Sequence, residues 1–196
     1  MWRKPRTWIG LFLLVALAAL WDYSPKDLMR DPAPEETRAH YPQAYIIRAN
    51  THRYDTEGQL HYHLLSARVD HFQRIPGQAS PQDYSLFLTP RLTLHGESPQ
   101  PWNLNANLGR SDATGDKIRL TGEVHLWQQA QAGTTELNTP ELLIEPNRQY
   151  AETDKTVNMR SPRGRQEAVG MQADLGNDII ELLSEVRGIH EPPNSN

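Results

Sequence analysis

The residues able to do chemistry are few and poorly grouped. His61-Tyr62-His63 puts two imidazoles on one face of an extended strand, a spacing that could hold a metal if further ligands converged. No Cys, His or carboxylate cluster beside them completes such a site, so the plainer reading is a solvated outer face opposite Tyr62. His52, His71, His95, His125 and His190 are scattered, and the chain has no Cys, which removes disulfides, Cys-ligated metals and thiol nucleophiles together. There is no Gly-rich phosphate loop, no His-Glu-x-x-His helix and no Gly-x-Ser-x-Gly elbow, and the paired carboxylates Glu35-Glu36 fall in a Pro-rich stretch without a pocket to perturb them. Arg160, Arg163 and Arg165 form a basic cluster that could meet phosphate, although a charge run in a Pro-Gly loop is more often simply solvated. A net charge of −4 with pI near 6.1 argues against a nucleic-acid backbone as the main partner. The expectation is a protein that is not an enzyme and needs no metal or other cofactor.

The elements that carry these residues divide the 196-residue chain into a tail and one domain. Arg3, Lys4 and Arg6 precede an apolar run from Trp8 to Trp21 without a charge until Asp22. The positive-inside rule keeps residues 1–6 in the cytoplasm, makes 7–23 a single transmembrane anchor helix and exports the rest. Trp8 and Trp21 at the two ends favour a retained helix, and Ala16-Leu17-Ala18 keeps a cleaved signal peptide open as the competing reading. Residues 24–42, with Pro25, Pro32, Pro34 and Pro42 among charges, read as a semi-extended tether, and 191–196 as a disordered tail.

Between them, residues 43–190 read as one all-β domain. Leu60, Tyr62 and Leu64 alternate with polar residues, as do Trp102, Leu104 and Ala106, and Ile118, Leu120, Gly122, Val124 and Leu126. Turn residues gather at 55–58, 76–81, 96–101, 109–116 and 146–149. Three segments recur in the same order. Thr89-Pro90-Arg91-Leu92 returns as Thr139-Pro140-Glu141-Leu142, Ala106-Asn107-Leu108-Gly109 as Ala173-Asp174-Leu175-Gly176, and Ile118 to Val124 as Ile180 to Val186. The second copy carries an insertion at 150–165, polar and partly loop, in which Val157 and Met159 could belong to a strand. Short antiparallel strands in two facing sheets, a twisted jellyroll with open ends, fit this pattern. Open ends leave unpaired edges suited to a strand from another chain.

The chain resembles the LptC family of lipopolysaccharide transport proteins of Gram-negative bacteria. The residues that carry the resemblance run from Gly58-Gln59-Leu60-His61-Tyr62-His63 to Val69, through Leu88-Thr89-Pro90, Trp102-Asn103-Leu104-Asn105-Ala106 and Leu120-Thr121-Gly122-Glu123-Val124, to Gly170-Met171-Gln172-Ala173 and Val186-Arg187-Gly188. The resemblance implies a single-pass protein of the inner membrane with its main domain in the periplasm. It implies that an LptB, LptF and LptG ABC transporter loads lipopolysaccharide into that domain, and that LptA receives it edge to edge for outer-membrane biogenesis.

The inward-facing members of the alternation, Tyr62, Leu64, Trp102, Leu104, Ile118, Leu120, Leu142, Ile144, Met171 and Leu182, are the candidate lipid-binding groove. From pattern alone such residues form an ordinary sandwich core, and the resemblance moves the set toward lipid contact. Tyr45 and Ile47 are the candidate edge near the tether, and Ile180, Leu182 and Val186 the candidate edge near the chain end. Two other readings stay open, a structural adaptor that joins transporter and bridge without holding lipid, and a general periplasmic lipid carrier.

Overall fold

The computed structural model describes residues 41–190 apart from Glu97. The expected cytoplasmic tail, the anchor helix, nearly all of the tether and the C-terminal tail lie outside the described residues. Among the described residues, no helix is long and apolar enough to cross a membrane.

Eleven strands make up the domain: β1 (Ala44–Tyr54), β2 (Leu60–Phe72), β3 (Tyr84–Leu88), β4 (Arg91–Leu94), β5 (Trp102–Asn105), β6 (Leu108–Ser111), β7 (Ile118–Ala130), β8 (Gly133–Glu145), β9 (Tyr150–Ser161), β10 (Gly164–Asp174) and β11 (Ile179–His190). All pairings are antiparallel. β2 pairs with β1 on one side and, on the other, with β4 through Tyr62–Leu65 and with β3 through Arg68–Phe72. β7 pairs likewise with β5 and β6, and β8 to β11 follow from it as a meander. Each end of the sheet is a strand with one partner, β1 on β2 and β11 on β10.

Three expectations need correction. The strands are not uniformly short, since β2, β7 and β8 run 13 residues and β1, β9, β10 and β11 run 11 or 12. The insertion at 150–165 is not loop, because β9 fills most of it and its hairpin leads into β10. The expected turn at 109–116 begins inside β6.

Those bulges lie opposite one another in register and form a single crease across the sheet. Arg48 in β1 has φ +55° and faces the break in β2 at Ser66-Ala67. That break faces Thr89-Pro90, with Thr89 at φ +48°, and this pair in turn faces Ala106-Asn107, where Thr89 N–H donates to Asn107 O at 2.9 Å. Gly122 and Glu123 of β7, at φ +76° and +52°, form the next bulge, and Asn107 N–H donates to Gly122 O at 2.9 Å. Pro140 sits opposite it, where the broken ladder needs no N–H from β8. Register shifts carry the line through β9, Gly170 of β10 and Glu185 of β11. Hydroxyls meet carbonyls that the bulges expose. Ser66 Oγ lies within 2.8 Å of Arg68 O and Leu88 O, Thr153 Oγ1 donates to Glu141 O at 2.7 Å, and Ser184 Oγ donates to Val169 O at 2.7 Å.

Bulged strands bend, so the crease divides the sheet into two layers with an apolar interior between them. Leu92, Leu94, Trp102, Leu104, Leu126 and Leu137 come from one side of the crease, and Ile118, Leu120, Leu142, Ile144 and Met171 from the other, and together they form one cluster. Each such side chain contributes about 1.5–3 kcal/mol by leaving water. Away from the crease the layers are clasped. Asp178 Oδ1, in the β10–β11 turn, accepts from Trp102 Nε1–H and from Gln128 Nε2–H, both at 2.7 Å. Gln149 Nε2 donates to His95 O at 2.5 Å, and a Cβ on Gly96 would meet Gly176 Cα at 3.0 Å, so the β4–β5 loop touches both turns of the other layer.

Two substitutions test this account by equilibrium urea unfolding. Gly122→Val forces a β-branched residue to φ +76°, with its Cβ 3.1 Å from the Asn107 side chain. It lowers stability by about 1–3 kcal/mol at an unchanged m value, and an unaltered midpoint would refute the strained crease. Asp178→Ala leaves the buried Trp102 N–H without its acceptor and costs about 1–3 kcal/mol, whereas Asp178→Asn keeps an acceptor oxygen and costs less; equal losses would refute the clasp.

Candidate functional site

The polar candidates do not assemble. His61 and His63 lie on the strand face opposite Tyr62, partly exposed and each in contact with a neighbour. His63 stacks on His52 of the neighbouring strand, centroids 4.3 Å apart, and its Nε2 lies 2.8 Å from Asn50 Oδ1. Burial, then the imidazoles of His52 and His95, hold its pKa below the usual imidazole range. His61 reaches the turn after β8, with Nε2 3.2 Å from Asn147 O. Among the described residues, no group of three His, Asp or Glu could hold a metal ion.

The apolar candidates do assemble. Leu104, Leu120, Leu142, Ile144 and Met171 are at most 2% exposed, and Leu64, Trp102 and Ile118 are buried with them in one cluster. Tyr62 and Leu182 pack against that cluster while half-exposed, one near each end of the sheet. Burial raises the Tyr62 phenol above its usual range, with Arg53 opposing, so the group stays neutral. The result is an unbroken apolar seam between the layers, covered in the middle and partly open toward both edge strands. It offers no directional bonds along its length, only surface that prefers hydrocarbon to water.

Sequence reasoning missed equal partners in this seam. Leu92, Leu94, Val124, Leu126, Leu137, Val157 and Leu175 are all at most 3% exposed. Val124 and Leu126 continue the alternation of Ile118 and Leu120, and Leu92 and Leu94 lie in the first repeat, so both pairs were within reach of the pattern. Leu137 and Val157 precede and follow bulges, where the alternation breaks.

The edge candidates lie on β1 and β11, each a strand with one partner, and differ in exposure. Tyr45 and Ile47 on β1 are each 61% exposed, and the Arg68 guanidinium lies over the Tyr45 ring at 4.9 Å. On β11, Val186 is exposed, whereas Ile180 and Leu182 are half-covered by the domain's own core. The exposed apolar residues Ile179, Leu183 and Ile189 extend this edge beyond the residues expected. Strands with a free row of N–H and C=O groups and apolar side chains are templates for pairing with another chain.

Among curated proteins, none matches the sequence. Among solved structures, the chain is similar to LptH from Pseudomonas aeruginosa, the LptA-homologous periplasmic component of a lipopolysaccharide transport device, at 9% identity and TM-score 0.49 over 67% of this chain and 95% of that one. The family described as lipopolysaccharide-assembly, LptC-related, matches residues 9–191, nearly the whole sequence. The chain therefore belongs to the LptC family of lipopolysaccharide-assembly proteins.

Proposed function

We propose that this protein holds lipopolysaccharide by its acyl chains between the two layers, receiving it from the inner-membrane LptB, LptF and LptG transporter and passing it to the periplasmic bridge protein LptA. The observation that carries the reading is the apolar seam that runs from Tyr62 and Leu64 on β2, the neighbour of edge strand β1, to Ile180 and Leu182 on edge strand β11. Each buried methylene stabilises a bound lipid by about 0.8 kcal/mol, so several acyl chains in such a seam are held firmly while their sugars stay in water. Residues 7–23 anchor the protein in the inner membrane, 24–42 space the domain from it, and the domain works in the periplasm. β1 faces the transporter side and β11 offers its free row to LptA, with Tyr45 and Ile47 at one edge and Ile180, Leu182 and Val186 at the other.

One observation favours the structural-adaptor reading. The middle of the seam is already filled by protein side chains, with Leu137, Leu142, Ile144 and Met171 at 0% exposure. Site-specific photo-crosslinking in energised membrane vesicles separates the two readings. A probe at Tyr62, which packs on the seam, gives an ATP-dependent lipopolysaccharide adduct, and a probe at His63, which stacks on His52, gives none. Protein adducts without lipid at both positions would leave the domain an adaptor.

Strand addition at β11 is tested with Leu182→Pro, which removes one backbone N–H and resists extended pairing. Co-purification with LptA falls at least tenfold while the anchored chain still co-purifies with the transporter. Undiminished recovery of LptA would refute docking at this edge.

A further inference from the structure

Edge strand β1 is attached to the domain unlike the other long strands. It alone among them gives no residue to the apolar cluster, and all its side chains are exposed except Ala49, which is half-buried. The opposite edge strand, β11, is held to that cluster by Ile180 and Leu182. β1 therefore relies on its backbone ladder with β2 and on lateral side-chain contacts. Before the bulge at Arg48, the Arg68 guanidinium covers the Tyr45 ring at 4.9 Å. Beyond the bulge the contact is histidine on histidine. His52 and His63 are directly opposite in register and stack with centroids 4.3 Å apart and planes 9° from parallel, and Asn50 Oδ1 lies 2.8 Å from His63 Nε2.

Two neutral imidazoles stack favourably, whereas two imidazoliums in the same place repel, as like charges directly opposite on a strand pair do. The neighbouring groups do not offset that repulsion. On β2, His61 shares the face of His63. On β4, Thr93 stands opposite His63, Arg91 lies two residues along on the same face, and His95 after the strand end acts electrostatically on His63. On β1, Arg53 follows His52 and stands opposite Tyr62. The carboxylates of the β1–β2 turn are engaged within it. Asp55 Oδ1 accepts the N–H groups of Glu57 and Gln59 at 2.8 and 2.9 Å, and Glu57 Oε2 accepts from Gln59 Nε2 at 3.4 Å. Among the described residues, neither imidazole forms an ion pair with a carboxylate. The lowered pKa of His63 has the matching sign. The paired strand takes up a proton less readily than the open one, so pairing is strongest above the usual imidazole range and weakens as pH falls through about 6.5.

We propose that the His52–His63 stack is a proton-operated latch on β1: the neutral pair holds residues 50–54 against β2, and protonation of both imidazoles releases them. Thr51 and Arg53 stand opposite Leu64 and Tyr62, so the released segment is the one beside the β2 end of the apolar seam. Acidification thus loosens that end of the seam, a consequence for lipid entry that rests on the lipid-holding reading proposed above.

The test is amide hydrogen exchange of the full chain in detergent micelles at about pH 7.5 and about pH 5.5, corrected for the intrinsic pH dependence of exchange. No lipopolysaccharide takes part, so the result is decided independently of the lipid-holding reading. In the wild-type chain the opening constant of residues 50–54 rises about tenfold at the lower pH, while the ladder between β8 and β9 is unchanged. His52→Phe keeps a stacked ring that takes no proton and removes the rise. His63→Gln keeps an amide for Asn50 and loses the stack, so the segment opens faster at both pH values and without pH dependence. A wild-type opening constant that does not change with pH would overturn the latch. So would an undiminished rise in His52→Phe, which would assign the effect to His61 or His95.

Discussion

A single antiparallel sheet can bury an apolar face against itself only if all its long strands bend at the same height. Here that condition is met by the crease, and each strand satisfies it with different local chemistry. β7 uses a glycine and a left-handed glutamate, β10 a glycine, β11 and β1 a left-handed glutamate and arginine, and the β3–β4 junction a left-handed threonine before proline. Left-handed conformation costs a non-glycine residue about 1–3 kcal/mol, most for a β-branched one such as Thr89. Such residues persist because the seam overdetermines them. Each bend brings a further apolar pair into the interior, and a strand that failed to bend would expose its half of the cluster to water.

The crease also explains how much of the fold was legible. Two of the three repeated segments mark it, since Thr89-Pro90 and Thr139-Pro140 lie on the line, as do Gly122-Glu123 and Ser184-Glu185. The repeat was therefore a repeat of bends. The third, Ala106-Asn107 against Ala173-Asp174, pairs a crease position with the end of β10, and no common geometry accounts for it. Alternation was readable wherever a strand ran straight, as from Ile118 to Leu120 or from Trp102 to Leu104. Across the bend of β7 it carries through from Ile118 to Leu126, whereas it is interrupted between Thr139 and Leu142 of β8 and between Thr153 and Val157 of β9. For the same reason β9 was taken in part for loop: its apolar inward members Ala151 and Val157 are separated by an irregular, polar stretch around Asp154 and Lys155.

The contacts that close the interior were not legible at all. Trp102 and Asp178 are 76 residues apart, and Gln128 joins them from a third strand. Nothing local distinguishes Asp178 from an ordinary turn aspartate, which its φ of +58° also suits. Its value is tertiary: one carboxylate oxygen satisfies a buried indole N–H and a glutamine amide while holding the far rim of one layer to the other.

On the proposed reading, a filled seam is no obstacle to a lipid conduit. In the middle, an acyl chain would replace contacts between leucines with contacts between leucine and methylene, an exchange nearly neutral in hydrophobic free energy. At the ends, near Tyr62 and Leu182, it would displace water from half-exposed apolar surface, which is favourable. The cost of entry then lies mainly in separating the layers, and this is set by few groups. The crease is the natural hinge, since its ladder is already interrupted, and the Asp178 and Gln149 contacts are the catch on the opposite side. A lipid advancing from an edge would open the seam progressively rather than all at once, so the protein need never expose its whole interior to water during transfer.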